Sequence, residues 1–143
     1  MHKITTNKKG LSFITLMIII ALCALVLRFA IEQIVRSNIT RNESNALPVL
    51  RLIAASLENY ARDNHGAYPT SLALLTQAQP AYLDKDYTSQ PPFKGYIFGC
   101  SRLEVDGYAC SASTVQCNVT GKKEYTISTG GLLVIEDCNK KEQ

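Results

Sequence analysis

The sequence predicts an α+β fold in which a long N-terminal α-helix, apolar in its first half and amphipathic in its second, packs against a small antiparallel β-sheet. Three observations predict it. Residues 11–27 form an uncharged apolar run. Leu47, Leu50, Ile53, Ala54, Leu57 and Tyr60 recur at three- and four-residue steps, the spacing of one helix face. The last third alternates short β-prone runs with glycine-containing turns and carries Cys100, Cys110, Cys117 and Cys138.

At about 1.5 Å rise per residue the apolar run makes roughly 25 Å of helix, a little short of a hydrocarbon core of about 30 Å. Arg28 need not end it. An arginine near a helix end can lay its methylenes in lipid and lift its guanidinium to the interface, which extends the span to Ile31. A cleavable secretory signal begins in the same way, and Ala21-Leu22-Cys23 loosely offers a site. Cutting there would split a helical pattern that meets no breaker before Pro48. Acylation of Cys23 is disfavoured by the bulky Leu22 before it.

From Glu32 to Asn45 charged and amide residues interrupt the apolar pattern, as expected of a helix leaving lipid for a wetter setting. Pro48 is expected to kink or restart the helix, because it donates no N–H and its ring crowds the preceding turn. The apolar stripe beyond it should lie on a sheet, and Asn64-His65-Gly66 supplies the stop. The segment from Tyr68 to Phe93 is rich in proline, serine and threonine and reads as a loop around one short helix, Ser71 to Ala78. Strands are expected near Gly95–Cys100, Gly107–Ala112, Glu124–Ser128 and Leu132–Ile135, the last two joined at Thr129-Gly130-Gly131.

The cysteines fix the compartment. Charges flanking the apolar run are tied, with Lys3, Lys8 and Lys9 before it and Arg28, Arg36 and Arg41 after it. The even set of four in the C-terminal domain reads as two disulfides in an oxidising compartment, so that domain lies outside the cytoplasm. A four-cysteine zinc site would call for Cys-x-x-Cys pairs, and there are none. Four cysteines allow three pairings. A hairpin centred on Val105 sets Cys100 opposite Cys110, whereas a tight turn at Asp106-Gly107 sets Cys110 opposite Leu103 on the other face. The reading adopted is Cys100 with Cys110 and Cys117 with Cys138.

The remaining composition argues mainly by exclusion. A net charge of +3 from scattered basic residues gives no nucleic-acid footprint. The two histidines, His2 and His65, lie in a basic leader and at a helix end, so neither joins a nucleophilic pair; no catalytic residue, metal or cofactor is predicted. Asp84, Asp86, Glu104, Asp106, Glu136 and Asp137 lack the spacing of a calcium loop and read as solvated surface.

The stretch Lys8-Lys9-Gly10-Leu11-Ser12-Phe13, opening a long apolar helix, resembles the class III signal of type IV pilins and type II secretion pseudopilins. A second stretch agrees: Ala55-Ser56-Leu57-Glu58-Asn59-Tyr60-Ala61-Arg62-Asp63-Asn64-His65-Gly66-Ala67-Tyr68-Pro69 is similar to the helix end and following loop of major-pseudopilin-like proteins. The resemblance implies a pilin-like fold and cleavage after Gly10 by a prepilin peptidase, leaving Leu11 as an N-methylated amino terminus. It also implies assembly through the N-terminal helix, with Phe13, Thr15 and Arg28 on the assembling segment. One departure stands out. The fifth residue of the mature chain in that family is a glutamate that pairs with a neighbour's amino terminus, and here it is Thr15. Threonine can hydrogen-bond an amine but cannot neutralise it, which favours a minor or tip subunit.

The resulting expectation is a leader over residues 1–10, a membrane and filament-core helix over 11–31 and a pilin-like extracytoplasmic domain over 32–143. The chain would sit as a single-pass protein of the inner membrane, with prepilin peptidase and other pilin-like subunits as partners and no nucleic acid, and would enter a pilus or secretion pseudopilus. The alternative is a membrane-anchored periplasmic binding module that is never processed at Gly10.

Overall fold

The computed structural model describes residues 12–142. Helix α1 spans Phe13–Asp63, and the chain divides between Ile34 and Val35 into two compact units. In the first unit every described residue is exposed.

In the second unit α1 is amphipathic, burying Ile39, Ala46, Leu50, Ile53, Ala54, Leu57 and Ala61 on one face. α1 continues through Pro48 and does not restart there. The reason is placement. Pro48 and Ser44, whose carbonyl a residue 48 N–H would have bonded, are both exposed, so water can take the orphaned acceptor. Burial of Ala46 and Leu50 on the opposite face holds the turn in place.

Four strands follow, β1 (Tyr96–Glu104), β2 (Gly107–Thr114), β3 (Lys123–Ser128) and β4 (Leu132–Asp137). They pair in sequence order as an antiparallel meander. Alternation selects the inner face, where Tyr96, Phe98, Tyr108, Cys110, Ala112, Tyr125 and Ile127 meet the α1 stripe in one core. Burying a side chain such as Ile53 or Leu57 contributes about 2 to 3 kcal/mol, which makes this contact the main support of the fold. A short helix α2 (Leu72–Gln77), capped by the Ser71 hydroxyl accepting from the Ala73 N–H, adds Leu72 and Leu75 to the same core.

The β1–β2 hairpin takes neither of the two forms the sequence suggested. Glu104 pairs with Gly107 across a two-residue turn at Val105-Asp106, one residue earlier than Asp106-Gly107. The register then shifts between Cys100 and Arg102, and the extra residue Ser101 returns Cys100 to its place opposite Cys110. Before β1, Phe93 and Tyr96 exchange backbone bonds of 2.8 and 3.1 Å around Lys94-Gly95, both with positive φ. Gly95 is required twice over here, by its φ of 77° and because a β-carbon would lie 2.7 Å from Asn42 Nδ2. This segment covers one end of the β1 edge, and Tyr68 N–H, donating to Val105 O, covers the other. Strand β4 forms the opposite edge of the sheet with Leu132, Val134 and Ile135 exposed.

Polar contacts peg α1 to the rest of this unit along its length. Asn42 Nδ2 donates to Thr120 O at 2.8 Å, Glu43 accepts from Lys122 N–H at 2.9 Å, Ser56 Oγ donates to Tyr82 O at 2.7 Å, and Asp63 accepts from the Tyr82 hydroxyl at 2.6 Å. The helix stops where expected: His65 takes a left-handed φ of 56° and Gly66 N–H reaches back to Ala61 O at 2.7 Å. A β-carbon in that conformation costs about 1 kcal/mol or more. His65→Gly is therefore expected to raise the thermal midpoint by several degrees, measured by circular dichroism on the detergent-solubilised chain.

Candidate functional site

The first unit presents the chemistry of an assembling or lipid-facing surface. Phe13 is 75% exposed, and Ile14, Leu16, Met17, Ile18, Ile19, Ile20 and Leu22 follow it with large apolar area uncovered. By length and composition this helix can cross a membrane. Gly10 and Leu11, the expected processing pair, lie outside the described residues. Thr15 is exposed on the first turns of α1. Between Phe13 and Ile34 the charged residues are Arg28 and Glu32. They lie one helical turn apart, with Arg28 Nε 3.9 Å from Glu32 Oε1.

In the second unit Cys100 is bonded to Cys110 and Cys117 to Cys138. The first bridge joins facing residues of β1 and β2. The second fastens the residue after β4 to the loop that follows β2, over a separation of 21 residues and a Cα distance of 5.7 Å. Cys138 also donates its N–H to Lys122 O at 2.9 Å, so the end of β4 is held twice. Cys23 is free and exposed.

A polar cluster that sequence reasoning missed stands under the sheet. Glu58, one residue after the core side chain Leu57, accepts from the hydroxyls of Tyr68 and Tyr108, each at 2.9 Å, and from Gly130 N–H at 2.8 Å. Helix, loop, β2 and the β3–β4 turn thus share one carboxylate. The rings of Tyr68 and Tyr108 meet edge to face with centroids 5.4 Å apart. A charged residue beside a core leucine was the available signal.

The carboxylates considered for calcium are dispersed. Glu104 and Asp106 both bind Arg102, at 3.1 and 2.7 Å; Asp84 accepts from Tyr87; Asp86 accepts from Thr88; Glu136 and Asp137 end β4. Among the described residues no group of three or more His, Cys, Asp or Glu is placed to hold a metal ion. His65 is the exposed residue that closes α1.

Burial pushes the hydroxyls of Tyr68, Tyr96, Tyr108 and Tyr125 above the usual value near 10, and for Tyr68 and Tyr108 the Glu58 carboxylate adds to it. At alkaline pH the folded chain therefore keeps protons that the unfolded chain releases. Stability is complete below the unfolded value and falls as pH rises beyond it. Urea titrations should give constant stability from pH 7 to about 9 and a loss above about pH 10, steepening by about 1.4 kcal/mol per pH unit for each hydroxyl still protonated, foremost the fully buried Tyr96 and Tyr108.

In comparisons with known proteins, no family model and no curated protein matches this chain.

Proposed function

We propose that the chain is a filament subunit of the type IV pilin and type II secretion pseudopilin class, held in the inner membrane until a prepilin peptidase cleaves it after Gly10. The observation that carries this reading is the run of exposed apolar residues from Phe13 to Ile34 on a helix whose continuation is amphipathic and packed. Such a segment needs a cover, and the reading gives it two in succession, lipid before assembly and the same segment of neighbouring subunits afterwards. Leaving lipid for protein costs little hydrophobic energy, so shape and polar pairing decide the packing. The disulfide-bonded domain, outside the membrane, then sets what the filament touches. Thr15 leaves the mature amino terminus without the carboxylate partner that the class normally provides, which suits a minor or tip position.

Intact mass of the mature protein, co-expressed with a prepilin peptidase and kept unreduced, tests the reading. A mass that starts at Leu11, with or without one methyl, supports it. A full-length mass in the presence of active peptidase points instead to an anchored periplasmic binding module. A start near Ala24 makes the apolar segment a secretory signal and removes the filament role.

A further inference from the structure

Arg28 and Glu32 interrupt a segment that is otherwise uncharged from Phe13 to Ile34, and both side chains are largely exposed, at 84% and 54%. Their contact within the chain is minimal. The separation of 3.9 Å is too long for a hydrogen bond, and none joins the two side chains. Arginine preceding glutamate by four residues is also the less favourable order for a pair on one helix. The guanidinium carries five N–H donors in a fixed fork, and this contact engages none of them in a hydrogen bond within the chain. Charged groups are costly in an apolar setting unless another polar group meets them, and in membrane segments they characteristically face other helices.

We infer that Arg28 of one copy pairs with Glu32 of the next, and that this pair sets the stagger between neighbouring N-terminal helices; the inference rests on the filament reading above. The charges are complementary to a second copy of the same helix. Residues four apart on an α-helix differ by about 6 Å in height. A parallel neighbour displaced along the axis by that distance brings its Glu32 level with Arg28, where the full fork can bind the carboxylate bidentately. The second copy then offers its own Arg28 to a third. The contact is head-to-tail and does not close on itself, which is the geometry that extends a filament.

Charge exchange between full-length chains, in the presence of prepilin peptidase, separates this contact from a role within one chain. Arg28→Glu gives a helix with two acids and Glu32→Arg one with two bases, so each alone places like charges at the contact. Each variant is expected to reduce the associated fraction in detergent about tenfold relative to the unaltered chain. Co-expressing the two variants with different tags is expected to restore co-purification to within about twofold, because acid then meets base across chains while neither chain regains its internal pair. Mixing that restores nothing, or single variants that associate like the unaltered chain, overturns the inference. If the unaltered chain starts at Leu11 and associates regardless of these charges, the filament reading stands and the pairing alone is wrong. If it keeps its full length and does not associate, both fall.

Discussion

Glu58→Ala is expected to lower the stability of the disulfide-bonded domain by about 3 kcal/mol, and the thermal midpoint by on the order of 10 °C or more. The carboxylate accepts three hydrogen bonds, from two tyrosine hydroxyls and one backbone N–H. Bonds to a charged acceptor contribute more than neutral ones, and removing the acceptor leaves its donors behind. The Tyr108 hydroxyl suffers most, since its side chain is almost wholly buried and water reaches it poorly. Glu58→Gln keeps one acceptor oxygen and should lose about half as much. A double-mutant cycle with Tyr108→Phe gives the sharper measurement. If the shared bond is the cause, removing both partners costs clearly less than the sum of the single losses, whereas strict additivity in thermal or urea unfolding would rule the bond out.

Removing the Cys117–Cys138 bridge by paired serine substitution is expected to cost about 3 kcal/mol, the loop-closure entropy of a separation near twenty residues. The loss should concentrate at one place. β4 pairs on one side with β3, and its far end is held by the bridge and by the Cys138 N–H on Lys122 O. Without the bridge, amide exchange across Leu132–Asp137 should accelerate well ahead of exchange in β2, which is paired on both sides. The Cys100–Cys110 bridge joins strands already held in register by their ladder, so its removal should leave β4 exchange unchanged. Uniform acceleration across the sheet would mean the second bridge supports the whole domain instead of its edge.

The apolar residues carried most of the architecture in plain view. The stripe from Leu47 to Tyr60 and the alternation within each strand depend on near neighbours in the chain, so helix, strands and the 129–131 turn could be read directly. That the helix does not restart at Pro48 could not be read, because a proline's effect depends on which face it occupies, and exposure is a tertiary property. The β1–β2 turn escaped because one bulged residue, Ser101, changes the register without a residue type that announces it. The Glu58 cluster was hidden for a similar reason. Its donors lie 10, 50 and 72 residues away along the chain, beyond the range of any local pattern. The expected disulfide pairing agrees with the bonds present, although the geometry offered for it, a hairpin centred on Val105, differs from the tighter turn and bulge that produce it.

The pegs that join α1 to its domain, from Asn42 through Glu43, Ser56 and Glu58 to Asp63, are spread over roughly 30 Å of helix. Their arrangement determines how this part of the molecule answers tension. A pull directed along the helix axis loads all of them side by side, in shear, together with the interlocked side chains of the core. A pull across the axis would instead meet them one at a time, as a zipper does. The domain is thus strongest in the direction of its own helix, and rupture along that direction requires the helix to slide free of every peg at once.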